Sequence, residues 1–190
     1  LKKNIVIFAS GNGTNAERIM EYFSVNDTVN IQLILTNNPR AGVLARAQKF
    51  GVPTVVFTKE EFYHSDKINR LLTENKIDFV VLAGFLWLIP ASIIQSFPGR
   101  IINIHPALLP KYGGKGMYGR HVHEAVIANR ETQSGITIHY VNDHYDEGNV
   151  IFQATCEVKE DDTPDRLAAR IHELEYAHFP VVIEQLLKDL

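Results

Sequence analysis

Cysteine is nearly absent from this chain. Cys156, within the strand-like run Gln153–Val158, is the only one in 190 residues, which excludes an intrachain disulfide and a cysteine-held metal cluster and fits a reducing, cytoplasmic setting. Excess positive charge is missing too: 19 Lys and Arg against 22 Asp and Glu give a net charge of -3, with no basic stripe to neutralise a nucleic-acid backbone. No uncharged stretch approaches bilayer length, and Leu1-Lys2-Lys3-Asn4 leads into a run too brief for a signal-peptide core. The expectation is therefore no nucleic acid, no membrane and no targeting segment. No repeat, low-complexity tract or linker divides the chain, and 45% hydrophobic content supplies one substantial core, so a single domain over 1–190 is expected.

What is present alternates. Asn4–Ala9, Asn30–Thr36, Pro53–Phe57, Asp78–Ala83 and Arg100–Ile104 read as strands, and Thr14–Phe23, Gly42–Phe50, Lys59–Asn75 and Pro90–Ser96 carry helical spacing. That order predicts a doubly wound, mostly parallel α/β sheet of Rossmann-like type, with ligands at the carboxyl ends of its strands. Beyond it lie a Gly-rich loop at 113–119, a helix near His121–Asn129, and two strand-like runs, Gly135–Val141 and Val150–Val158. The last two form an antiparallel C-terminal addition around an acidic turn. Thr163-Pro164-Asp165, an N-cap followed by proline, opens a long closing helix.

Gly11-Asn12-Gly13-Thr14-Asn15-Ala16 follows the first strand and fits G-x-G-x-x-A, a turn that aims backbone N–H groups at an anion. A dinucleotide site of this kind needs an acidic residue after the second strand to hold the ribose. From Thr28 to Lys59 there is none. Arg40 can meet the extra phosphate of NADP, so that option stays open, as does a tight turn with no ligand. A mononucleotide-type phosphate is favoured.

Asn103 and His105 end a strand, with their side chains on one face and Ile104 behind. An amide N–H beside an imidazole suits acyl transfer, in which one stabilises an oxyanion and the other moves protons. A His hydrogen-bonded beneath a loop is the bland alternative. The turn Asp143-His144-Tyr145-Asp146-Glu147-Gly148 offers a carboxylate to orient His105 and raise its pKa. Its spacing matches no Ca²⁺ loop, and no metal is expected. His121 and His123, two apart on a helix, read as surface or loop-supporting residues.

Five segments in order then carry a resemblance: Ser10-Gly11-Asn12-Gly13-Thr14-Asn15, Val81-Leu82-Ala83-Gly84-Phe85, Asn103–Tyr112, Gly135–Val141 and Asp146-Glu147-Gly148. Over nearly its whole length the chain resembles the phosphoribosylglycinamide formyltransferases, the folate-dependent glycinamide ribonucleotide transformylase family. The resemblance implies formyl transfer from 10-formyltetrahydrofolate, as cosubstrate, to the amine of glycinamide ribonucleotide in purine synthesis. It implies Asn103, His105 and Asp146 as the catalytic set, with Asp146 holding His105 protonated while His105 and Asn103 stabilise the oxyanion. Gly13, Thr14 and Asn15 would grip the phosphate. Glu175, otherwise a solvated helix position, would contact the ribose. Leu86, Trp87, Leu88 and Ile89 would line the pterin pocket, with Asn103 also touching the folate.

Two features depart from the family. Trp87 stands where a basic residue is frequent, and Thr58–Asp66 aligns poorly with the arm that meets the folate tail. The loop 113–119 is also rich in glycine, as expected of a flap over the folate. Three other functions remain at this stage. A formyltetrahydrofolate hydrolase shares the Asn/His/Asp set, but such enzymes usually add an N-terminal regulatory domain. Formyltransferases for methionyl-tRNA or nucleotide sugars tend to carry further domains or a different substrate loop. A nucleotide- or NADP-binding module leaves the set without a role. Oligomeric state is open, with a homodimer one option.

Overall fold

The computed structural model describes residues 2–190. Its strands are β1 (Lys3–Phe8), β2 (Val29–Thr36), β3 (Thr54–Val56), β4 (Phe79–Leu82), β5 (Ile101–His105), β6 (Gln133–Tyr140) and β7 (Val150–Glu157). They form one sheet in the order β3-β2-β1-β4-β5-β6-β7. Pairing is parallel from β3 to β5 and antiparallel from β5 to β7, as the sequence suggests.

Strand alternation divides the core in two. Ile5 and Ile7 of β1 enter one cluster and Val6 and Phe8 the other, because successive side chains point to opposite faces. The first cluster packs beneath α1 (Thr14–Ser24), α2 (Val43–Lys49), α6 (Arg120–Ala128) and α7 (Pro164–Lys188). The second packs beneath α3 (Lys59–Tyr63), α4 (Lys67–Glu74) and α5 (Ala91–Ser96). Both faces of the parallel part are thus buried, which explains its unbroken apolar runs.

The single helix expected over Lys59–Asn75 is two. A Thr58/Glu61 capping box starts α3. The Ser65 hydroxyl then donates to the Glu61 carbonyl at 2.8 Å and accepts from Lys67 N at 3.3 Å, replacing helical bonds by local ones and restarting the chain as α4. The closing helix begins as expected, with Thr163 Oγ1 accepting from Arg166 N at 3.2 Å and Pro164 in the first turn.

The strand order reverses at β1 and β4. Neighbouring connections there leave in opposite directions and open a crevice at the carboxyl edge of the sheet.

Candidate active site

The crevice is a cavity of about 720 Å³ lined by the loops after β1, β4 and β5, the glycine-rich loop before α6, the turn before β7 and one side of α7. Among the described residues no group of three His, Cys, Asp or Glu is arranged to hold a metal ion.

At one pole, Gly13 is the N-cap of α1 with φ 76°, and a Cβ there would stand 2.5 Å from Val43. Only glycine fits both the backbone and the space. No side chain caps this helix, so the first-turn N–H groups behind Gly13, Thr14 and Asn15 face the cavity unpaired, as an anion requires. Glu175 corrects the solvated reading: it is 4% exposed. Its Oε2 accepts from Asn15 Nδ2 and from His172 Nδ1, each at 2.9 Å, which leaves Oε1 for a hydroxyl group. The hydrogen bond to Glu175 raises the His172 pKa, against the opposing effect of burial. Arg40 is exposed and outside the cavity lining, so nothing in this geometry favours NADP.

At the other pole, Asn103 and His105 meet the turn before β7. His105 is 3% exposed. Its Nε2 donates to the Tyr112 carbonyl at 2.7 Å, which leaves Nδ1 facing Asp146 Oδ2 at 3.5 Å. The segment from Ala107 to Tyr112 is fixed from below. Thr137 Oγ1 donates to Ala107 O at 2.7 Å and accepts from Leu109 N at 3.0 Å, while Gln153 Nε2 donates to Leu109 O at 3.1 Å.

Asp146 adopts φ 56°, a conformation that Asp tolerates better than most residues, and accepts from Gly114 N at 3.0 Å. The glycine-rich loop is therefore tied to the candidate catalytic carboxylate. Two residues on, a Cβ on Gly148 would lie 1.6 Å from the Tyr140 carbonyl oxygen, so only glycine lets the turn approach β6 this closely. Burial pushes the Asp146 pKa up, but the neighbouring His139 and His105 rings and the Gly114 N–H outweigh it and hold the carboxyl below its usual range.

Asp146 raises the pKa of His105, as expected of a carboxylate from this turn, but the net shift is downward. Burial drives it below 6.5; Asp146 and the Tyr112 carbonyl push upward without reversing the shift. Both directions favour a neutral imidazole beside an ionised carboxylate near pH 7.

His139, within the run Gly135–Val141, carries no signal of a role in the sequence. It pairs directly with Asn103 across the β5–β6 ladder. Its Nδ1 donates to Tyr140 O at 2.8 Å, so Nε2 accepts from Asn103 Nδ2 at 3.1 Å. That fixes the Asn103 amide and leaves its second N–H for a ligand. His123, read as surface or loop-supporting, is buried and lines the cavity.

The segment after β4 both packs and lines. Ile89 is buried, Trp87 lies against Phe57, Phe62, Tyr63 and Phe85, and Leu86 is 45% exposed toward the cavity. Tyr63 donates to the Leu88 carbonyl at 2.7 Å, and the Ser10 hydroxyl accepts from Leu86 N at 3.0 Å. This wall is thereby locked to the loop after β1. None of Thr58–Asp66 lines the cavity.

Residues 3–183 match the formyl transferase family model. The chain is similar to the chloroplastic phosphoribosylglycinamide formyltransferase of Arabidopsis thaliana, 40% identical over 195 residues, covering 99% of this chain and 66% of that protein. It therefore spans just under two thirds of the length of that plant relative. It is 34% identical to the phosphoribosylglycinamide formyltransferase of Bacillus subtilis, covering 97% of this chain and 95% of that one. The crystal structure of phosphoribosylglycinamide formyltransferase from Anaplasma phagocytophilum superposes with a TM-score of 0.91 at 32% identity, covering 100% of this chain and 88% of that one. Together with an Asn103/His105/Asp146 cluster at the switch point of the sheet, a match over nearly the whole length shows that this chain belongs to the formyl transferase family.

Proposed function

We propose that the protein transfers the formyl group of 10-formyltetrahydrofolate to the primary amine of glycinamide ribonucleotide. The observation that carries this reading is the pairing of two poles in one cavity: an uncapped helix N-terminus beside a buried carboxylate, and an amide–imidazole–carboxylate cluster beside an apolar wall. The first pole suits a phosphate and ribose, with Gly13, Thr14 and Asn15 on the phosphate and Glu175 on a ribose hydroxyl. The second suits a flat, largely apolar pterin held by Leu86–Ile89 with its reacting nitrogen near Asn103.

The amine of the nucleotide attacks the formyl carbon. The free N–H of Asn103 stabilises the oxyanion. His105 takes the proton leaving the amine at Nδ1, and the imidazolium is stabilised by Asp146 and the Tyr112 carbonyl. That proton passes to N10 as the carbon–N10 bond breaks, giving formylated nucleotide and tetrahydrofolate. His105 thus acquires its charge during the reaction. A cytoplasmic, reducing compartment fits the single cysteine.

Folate absorbance followed with and without glycinamide ribonucleotide tests this reading. Turnover that requires the nucleotide is expected; turnover without it indicates a hydrolase, and none at all a binding module.

A further inference from the structure

His123 sits in the first turns of α6 and lines the cavity, yet it is 4% exposed and its Nδ1 is shut off from solvent with no hydrogen-bond partner. An imidazole nitrogen buried in that way is far better left as a bare lone pair than as an unpaired N–H, since a buried donor without an acceptor is the more destabilising of the two. The proton of the neutral ring therefore belongs on Nε2, the nitrogen left to face the cavity. Burial disfavours the charged form; the neighbouring His172 and His105 add to that effect, and Glu175 opposes it. His123 lines the same cavity as His172 and Glu175 of the nucleotide pole and Asn103 and His105 of the reacting pole, on a helix that packs against α7.

On the reading of the site given above, the substrate must reach from one pole to the other. Its ribose rests near Glu175, its amine reaches the formyl carbon beside Asn103 and His105, and the link between them is a glycinamide arm with one amide carbonyl. A neutral N–H suits a neutral carbonyl oxygen better than a phosphate, which already has the N-terminus of α1. We infer that His123 is a further substrate-binding residue, whose Nε2–H holds the carbonyl oxygen of the arm joining ribose to the attacking amine. Holding that oxygen fixes the rotation of the arm and aims the amine at its target.

His123→Asn and His123→Gln form the test, because both stay polar and helix-compatible. The Gln amide reaches the Nε2 position, and the shorter Asn amide reaches only Nδ1. Calorimetric titration with glycinamide ribonucleotide and with ribose 5-phosphate, which lacks the arm, reads the difference. His123→Asn is expected to weaken glycinamide ribonucleotide about tenfold, the loss of one neutral hydrogen bond, and to leave ribose 5-phosphate unchanged, while His123→Gln stays close to wild type. The inference is overturned if the Asn variant binds glycinamide ribonucleotide as tightly as wild type, if both ligands weaken in parallel, or if Gln loses as much as Asn. A wild-type protein that binds ribose 5-phosphate but not glycinamide ribonucleotide instead defeats the underlying reading, and this inference with it.

Discussion

His105 lies beside a carboxylate in a buried position, so two influences on its charge oppose each other. Burial lowers its pKa, Asp146 and the Tyr112 carbonyl raise it, and Glu175 and His139 act more weakly in opposite senses. Proton uptake from the amine needs the neutral ring, so kcat/KM should fall as pH drops through a His105 pKa below 6.5. Asp146→Asn removes an upward influence and should move that acid limb to still lower pH. It should also cut turnover by about a hundredfold or more, since the imidazolium formed in the reaction loses its partner. A pH–rate profile of the two proteins checks both effects; an unmoved limb with normal turnover contradicts the role given to Asp146. At this scale the sequence was partly legible. Alternation along β5 placed Asn103 and His105 together, and a turn rich in carboxylates supplied Asp146. His139 was hidden because its role depends on which strand lies beside β5, and His123 because its exposure depends on how α6 and α7 pack.

Elements with local signals were read close to their true bounds. Thr163 and Pro164 start α7 as capping chemistry dictates, and Thr163→Ala should lower stability by about 1 kcal/mol, measured by denaturant unfolding, through loss of the bond to Arg166 N. Lys59–Asn75 misled because its apolar spacing continues across the break that Ser65 makes with its own side chain. The 113–119 loop joins the candidate catalytic carboxylate, Asp146, through Gly114 and contributes lining residues to the cavity. Closure over folate predicts that its amides exchange hydrogen quickly in the free protein and slow markedly when folate binds. Equally slow exchange in both states contradicts a flap.

Across the whole molecule the site is assembled from distant chain segments. Asn15 and Glu175 are 160 positions apart, yet their side chains share a hydrogen bond, because α1 and α7 cover the same face of the sheet. The parallel half and its crevice followed from alternating strand and helix patterns. Strand order did not, since an apolar run carries no mark of its neighbours. Glu175 looked solvated for the same reason: its helix has a polar side elsewhere, and only docking against α1 and α6 turns this carboxylate inward. The central claim is that these segments form one site that passes a formyl group from folate nitrogen to nucleotide amine. It is tested most directly with carbon-13 in the formyl group of 10-formyltetrahydrofolate, followed by NMR in the presence of glycinamide ribonucleotide. The account predicts that the label appears as formamide carbon on the nucleotide, with tetrahydrofolate formed in equal amount. Label released as free formate, or retained on the folate, contradicts it.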